Sequence, residues 1–326
     1  MLKEKKYSIL VIGGAGYIGS HVVLQLCDAE HNVTVFDNLS SGNKINIDPR
    51  AEFIKGSILN INDYKNVFNK EYDVIFHFAA LKDSGESMVC PEKYSTVNLI
   101  GTINILNQMT YHNIKNIIFS SSAAVYGNPE YLPIDEKHTL QPINFYGFTK
   151  LAIENLLIWY SSLKNINYAA LRYFNAAGYD LNKRITGLEK NSANLLPLIM
   201  ETATGTRSSV QIFGDDYNTL DGSAIRDYIH VTDLAMAHLN AMYYIFDKNE
   251  NLTLNLSTGL GCSVFDVISK AKKITKREIN SIVVNRRPGD VESLFAISKL
   301  AEKKINWRCN YSDIDTIIDS MWQMYK

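Results

Sequence analysis

The sequence predicts an α/β protein, a doubly wound parallel sheet with a smaller C-terminal substrate-binding cap. Three observations predict it. Apolar, β-rich runs alternate with helical patterns over the first half of the chain, glycines mark the first strand-to-helix junction, and the alternation gives way to loop-rich stretches after Asn175. Strand, helix and strand repeated in this way place the strands parallel, with helices on both faces.

Residues 8–12, 33–37, 52–55, 74–76, 116–120 and 168–172 are short apolar runs and read as buried strands. Residues 17–29, 63–69, 91–109 and 145–163 lie between them and read as helices. Beyond Asn175, residues 178–188 and 214–223 read as loops, with shorter helices near 195–204, 231–246 and 264–275. The expected division is a sheet domain over 1–175 and a mainly substrate-binding domain over 176–326. That boundary is soft, because the chain is expected to thread back to the sheet. No repeat, low-complexity linker or block of like charge interrupts the pattern.

A chain of 326 residues, 46% hydrophobic and 21% charged, is long and apolar enough for a large core. Its formal charge of −1 offers no basic surplus for nucleic acid or an anionic membrane, so any anion is held locally. Cys27, Cys90, Cys262 and Cys309 are widely spaced, without the paired spacing of a zinc site or a disulfide framework, and no metal is expected. The first apolar run is too short for a signal peptide, and none approaches the ~18 residues of a membrane span, which predicts a cytoplasmic protein.

The run SILVI leads into GGAGYIGSH, which sets Gly13, Gly16 and Gly19 at G-x-x-G-x-x-G spacing where a helix begins. Glycines there allow a tight turn, close approach of backbone N–H groups to a pyrophosphate, and close helix-to-strand packing. Asp37 ends the second strand, where an acid bonds a ribose 2′-hydroxyl and repels a 2′-phosphate. Position and spacing together predict a Rossmann-type sheet that binds NAD in preference to NADP.

The strand KNIIFS ends in Ser120, Ser121 and Ser122, and YGFTK places Tyr146 and Lys150 four residues apart on a helix, hence on one face. Serines at the carboxyl end of a sheet strand stand where open α/β sheets bind ligands. A nearby ammonium and a positive nicotinamide ring both favour phenolate, so Tyr146 is expected to fall from about 10 towards working pH and act as a general base. Ser122 is expected to bond the same substrate oxygen, and Lys150 to hold the nicotinamide ribose as well.

With GGAGYIGSH, VFDNLSSG, HFAALKDSGES, FSSSAAVYG, YGFTK, LRYFNAAG, IFGDDY, IRDYIHVTDLA and RRPGD in place, the chain resembles the extended short-chain dehydrogenase/reductases almost end to end, and among them the UDP-glucose 4-epimerases. The resemblance implies that Tyr17, Ile18, Asp37, Asn38, Phe78, Ala79, Ala80, Lys82 and Asn98 contact NAD, with Ser57 and Ile58 near the adenine and Phe174 near the nicotinamide. It implies a uridine diphosphate held by Asn175, Asn194, Leu195, Gln211, Ile212, Phe213, Arg226, Tyr228, Arg287 and Asp290. Two fixed guanidinium groups suit a diphosphate on chemical grounds as well.

The same resemblance implies the reaction. Tyr146 takes the proton of the sugar 4-hydroxyl while hydride leaves carbon 4 for NAD, and the 4-keto sugar turns and receives hydride on its other face. UDP-galactose and UDP-glucose are thereby interconverted. A retained cofactor and a roomy sugar pocket follow. The helices at 91–109 and 145–163 resemble those that pair two subunits through a four-helix bundle, which implies a homodimer.

Two positions depart from the resemblance. Ser57 stands where relatives usually carry an aspartate near the adenine. Leu294 stands where a residue limits the sugar pocket, and a tyrosine there disfavours N-acetylated sugars; leucine is smaller, so UDP-N-acetylglucosamine is expected to find room. His77 and His230 read as core histidines, and Trp159, Trp307 and Trp322 as packing residues.

Other functions remain to be weighed. A nucleotide-sugar dehydratase places an Asp-Glu pair where this chain has Ala123 and Ala124, and elimination needs that acid and base. A net dehydrogenase needs exchangeable cofactor. An NAD sensor or structural protein has no use for a matched Ser122, Tyr146 and Lys150, although fold alone does not exclude it.

Overall fold

β1 (Ser8–Ile12) is buried over its last four residues because strands flank it on both sides. The computed structural model describes residues 5–189, 192–287 and 290–326. From β1 the chain forms α1 (Tyr17–Asp28), β2 (Asn32–Asp37), β3 (Glu52–Lys55), α2 (Ile61–Val67) and β4 (Val74–His77). Two short helices, α3 (Ser84–Val89) and α4 (Pro91–Tyr94), lead through a π-helical stretch, Ser95–Ile100, into α5 (Gly101–Tyr111). The helix expected over 91–109 is thus divided by that stretch and runs two residues further. β5 (Asn116–Ser120), α6 (Phe145–Lys164) and β6 (Asn167–Tyr173) complete the regular alternation.

The remainder comprises β7 (Asn175–Ala177), α7 (Leu195–Ala203), β8 (Val210–Phe213), β9 (Ile225–Arg226), β10 (Tyr228–His230), α8 (Val231–Lys248) and β11 (Leu252–Leu256). Then follow β12 (Cys262–Ser263), α9 (Val264–Thr275), β13 (Ser281–Val284), β14 (Ser293–Leu294), α10 (Lys299–Ile305) and α11 (Ile314–Tyr325).

The main sheet has seven strands in the order β11-β6-β5-β4-β1-β2-β3, all parallel. Its order reverses between β1 and β4, and ligands of such sheets lie outside the carboxyl ends at that crevice. One face buries Ile9, Val11, Val35, Phe76 and Leu171 beneath α1 and α8; the other buries Leu10, Ile12, Ile75, Ile117 and Phe119 beneath α5 and α6. β11 brings the later chain back to pair with β6.

Three small sheets form the cap: β13 with β8, β10 with β7, and β12-β9-β14. Their separate core gathers Leu196, Ile199, Ile212, Val267, Ile317 and Trp322. His77 and His230 are buried, as are Trp307 and Trp322. Trp159 departs from the packing expected of it, being 64% exposed on the outer face of α6. Among the described residues no helix is long and apolar enough to cross a membrane, and no cluster of His, Cys, Asp and Glu could hold a metal.

Candidate active site

The site begins where β1 turns into α1. Gly13 has φ +82°, and a Cβ there would lie 2.5 Å from the Ala79 nitrogen, so only glycine lets the loop pass this close to the end of β4. The Gly13 nitrogen bonds the Phe36 carbonyl at 2.9 Å, which joins the loop to β2. At the end of β2 the buried Asp37 carboxylate accepts from the Ala15 nitrogen at 3.0 Å and the Leu39 nitrogen at 2.7 Å. Burial raises the Asp37 carboxyl above its ordinary value, against those two bonds.

α6 starts at Asn144, whose side chain accepts from the Gly147 nitrogen at 2.8 Å. A Cβ on Gly147 would meet the Ala124 carbonyl at 2.4 Å, so the bare glycine lets the first turn of α6 lie against the turn that carries Ser122. Ser122 Oγ accepts from the Ala124 nitrogen at 3.1 Å and stands beside the Tyr146 hydroxyl. Lys150, 2% exposed, donates to the Ser120 carbonyl at 2.8 Å, and its ammonium lies 5.7 Å from the centre of the Tyr146 ring.

Burial raises Tyr146 above its ordinary value, and the Ser122 hydroxyl beside it opposes the rise. The lowering expected from the sequence is therefore absent from the protein by itself. Lys150 is buried too, and burial pushes its ammonium down to about 7, with Glu154 opposing. The positive nicotinamide is the remaining source of the expected lowering.

A cavity of about 370 Å³ joins these groups to the glycine loop and the cap. Of the residues singled out in the sequence, Gly13, Gly16, Tyr17, Ile18, Gly19, Phe78, Ala80, Lys82, Ser122, Tyr146, Lys150, Phe174, Asn175, Asn194, Arg226, Asp290 and Leu294 line it. Asp37 and Ala79 sit around the glycine loop, Ala79 directly against Gly13. Asn98 is buried, bonding both the Leu81 nitrogen and the Leu81 carbonyl, so it shapes the loop behind Ala80 and Lys82. Asn38 is exposed, and its side chain accepts from the Ser40 nitrogen. Ser57 is half-buried, with its Oγ accepting from the Leu59 nitrogen.

At the cap end, Asp290 stands 3.7 Å from Arg226 and 3.8 Å from Arg287. The Arg287 guanidinium covers the Phe213 ring at 3.7 Å, and Tyr228 is buried behind the site. The structure turns several of the expected side chains away from the cavity. Ile58 packs against Gly101 in the helical layer, Ile212 turns into the cap core, and Gln211 faces solvent, so none of these side chains meets the cavity. Leu195 packs against the cap core at the start of α7. Pro288 and Gly289 of the RRPGD motif lie outside the described residues.

The sequence reasoning passed over several lining residues. Ser41 follows the acid of β2 within VFDNLSSG, and Tyr173 lies within LRYFNAAG, so both were within reach of the motifs. Glu189, which pairs with Lys82, comes from a loop without any pattern.

The residues present fit a dinucleotide. The glycine loop is a cradle that a Cβ would fill, it opens a helix N-terminus, and a buried acid lies beside it. Fold and crevice together define a dinucleotide-dependent α/β enzyme with its reactive groups at the carboxyl edge of the sheet. Residues 9–256 match the model of the NAD dependent epimerase/dehydratase family, and the chain belongs to that family.

A UDP-glucose 4-epimerase of Lacticaseibacillus casei is 42% identical over 320 residues, which cover 98% of this chain and 97% of that one. The crystal structure of UDP-glucose 4-epimerase from Brucella ovis in complex with NAD is 38% identical and superposes with a TM-score of 0.94, covering 98% of each chain. The UDP-Glc/GlcNAc 4-epimerase of Campylobacter jejuni is 35% identical with a TM-score of 0.85, covering 98% of this chain and 99% of that one.

Proposed function

We propose that this chain is an NAD-dependent 4-epimerase of UDP-hexoses that interconverts UDP-galactose and UDP-glucose. The observation that carries the reading is one continuous cavity with the glycine loop on one flank, Ser122, Tyr146 and Lys150 at its centre, and Arg226 and Asp290 at its far end. Arg226 and Arg287 hold the diphosphate in place of the Asp290 carboxylate that stands between them. Residues 1–175 mainly hold the cofactor and 176–326 mainly the UDP-sugar.

When bound, NAD supplies the hydride acceptor and donor for carbon 4. Tyr146 takes the proton of the 4-hydroxyl and later returns one to the 4-keto oxygen, which leaves no net redox change. Ser122, with its oxygen already accepting from the Ala124 nitrogen, donates to that same sugar oxygen. Lys150 holds its positive charge beside Tyr146 while bonded to the Ser120 carbonyl. Ala123 is buried and both alanines line the cavity, so no carboxyl next to Ser122 can drive an elimination.

A second substrate is favoured by Leu294, which lines the cavity with a side chain smaller than tyrosine and leaves space for an N-acetyl group. A homodimer is favoured by the apolar outer face of α6, where Phe148, Ile158, Trp159 and Leu163 are exposed. The test incubates the purified protein, with no cofactor added, with UDP-galactose and separately with UDP-N-acetylgalactosamine, and resolves the products by chromatography. Conversion of the first establishes the epimerase, and conversion of the second establishes the wider pocket. No conversion of either, even with NAD supplied, removes the 4-epimerase reading for these sugars.

A further inference from the structure

Three consecutive serines at the end of β5 meet three residues of α6 spaced one turn apart. Ser122 stands beside the Tyr146 hydroxyl, the Ser120 carbonyl accepts from Lys150 at 2.8 Å, and Ser121 Oγ donates to Glu154 Oε1 at 2.5 Å. Tyr146, Lys150 and Glu154 follow one another at intervals of four and so share a helix face. The proposed function uses the first two contacts and leaves the third unexplained.

Glu154 is buried, and so is its partner Arg172, whose Nε donates to Oε1 at 2.9 Å and whose second guanidinium nitrogen donates to Oε2 at 2.5 Å. Two parallel bonds fix both planes. Arg172 also donates to the Tyr126 hydroxyl at 2.9 Å, and that hydroxyl donates to Asn255 of β11 at 2.6 Å. An ion pair this deep costs more in desolvation than apolar residues of the same size, so stability alone gives no reason for its presence.

We propose that Glu154, held by Arg172 and Ser121, is a positioning residue: its carboxylate keeps Lys150 an ammonium and locks the serine run against α6. The proposal rests on the role given above to Lys150. Among the described residues, the titratable and charged groups facing Lys150 are Tyr146 and Glu154 from its own helix and His77 from β4, with Arg172 behind Glu154 and Tyr173 beside Tyr146. Burial holds His77 down at about 3 and therefore neutral, so Glu154 is the anion of the group. Without it, burial takes Lys150 below the value of about 7 that it holds with Glu154 in place, and Tyr146 loses the ammonium on its helix face.

The test labels the lysine ε-carbons with 13C and identifies the Lys150 resonance by its absence in Lys150→Met. Its titration is followed in the wild type, Glu154→Gln and Glu154→Asp. Glu154→Gln is expected to move the Lys150 midpoint down by about one unit or more, carrying the alkaline limb of kcat with it. Glu154→Asp retains the charge and is expected to restore the midpoint, although its shorter reach lowers kcat. An unmoved midpoint in Glu154→Gln, with activity and Tm falling together, makes Glu154 merely structural and overturns the proposal. If that variant does not fold, Glu154→Gln/Arg172→Met leaves no lone buried charge and must show a downward move, smaller but of the same sign. The resonance titrates whichever sugar turns over, so a wrong substrate and a wrong role for Glu154 give different results.

Discussion

The Lys150 ammonium donates its hydrogen bond to the backbone carbonyl of Ser120, not to Tyr146. With its ammonium 5.7 Å from the centre of the Tyr146 ring, Lys150 can reach the phenol only through its charge, while Ser122 is the hydroxyl placed beside it. The division matters because a charge tolerates small displacements of its partner and a hydrogen bond does not.

Tyr146→Phe removes the proton acceptor and leaves the ring in place. Turnover of UDP-galactose is expected to fall by about 10²- to 10⁴-fold with cofactor content unchanged, measured by chromatography and by NAD released on acid treatment. Full turnover in this variant would take the role of base away from Tyr146. Lys150→Met is expected to lower both turnover and cofactor content, because Lys150 lines the cavity between the two.

Gly13→Ala places a Cβ 2.5 Å from the Ala79 nitrogen in a backbone with φ +82°. Neither partner is a flexible side chain, so the loop must move. The left-handed conformation alone costs about 1–2 kcal/mol. A drop in Tm together with loss of bound NAD is the expected outcome. A variant with normal Tm and full cofactor content would mean that the loop has slack the packing does not reveal.

Arg226→Ala leaves Asp290 with Arg287 alone and removes one of the two cations proposed to hold the diphosphate. The KM for UDP-galactose is expected to rise about ten- to a hundredfold with a smaller change in kcat, since the diphosphate is bound alike before and during the reaction. Weaker dependence of KM on salt should accompany the rise. A loss confined to kcat would place Arg226 at the sugar and not at the diphosphate.

Four buried histidines set the acid limit of stability. Burial lowers His21, His230 and His238 to about 4 and His77 to about 3. Their folded values lie below the ordinary ~6.5, so the folded protein favours the neutral rings. The stability they contribute is complete above that value and is lost as pH falls towards the folded values, at about 1.4 kcal/mol per unit for each ring. Asp227, raised by burial to about 6, works in the opposite sense, losing stability as pH rises towards 6, and Asp37, Glu136 and Asp233 are raised by burial as well, but by less than the four rings are lowered. Thermal unfolding is expected to show a steep fall in Tm between about pH 6 and pH 4.5. A flat profile there would mean that the rings find water or partners in the folded state.

The sheet and the glycine loop were legible because their signals are local. β1, Gly13 and α1 lie within one stretch of sequence, and Tyr146 and Lys150 lie one turn apart. β11 carries the alternation of a half-buried edge strand, Leu252, Leu254 and Leu256 between Thr253 and Asn255, but five residues far from β6 in sequence do not reveal that they pair with it. Asn255 is buried, but its partner Tyr126 is far away in sequence. The cap end of the site escaped periodicity altogether. Arg226 and Leu294 sit on strands of two residues, β9 and β14, which are too short to carry a pattern and meet only through tertiary pairing. Motif resemblance reached them where spacing could not, yet it also drew in Ile212, whose side chain the fold turns inward.

Leu294 lines the cavity, and in the proposed function it is the position that decides between sugars. It pairs in register with Arg226, so the residue proposed to limit the sugar is fixed to the one proposed to hold the diphosphate. It also packs against the small cluster of Ala123, Val125, Tyr126, Ile134 and Ala296, whose first member adjoins Ser122. A larger side chain there cannot retreat into that buried cluster and must extend into the cavity. Leu294→Tyr is therefore expected to leave UDP-galactose turnover nearly intact while lowering kcat/KM for UDP-N-acetylgalactosamine by about tenfold or more, a discrimination within reach of pocket shape. Equal losses for both sugars would mean that the tyrosine disturbs Arg226 and not the sugar. No change in the ratio would place the N-acetyl group elsewhere in the cavity, and Leu294 would cease to explain any breadth of substrate.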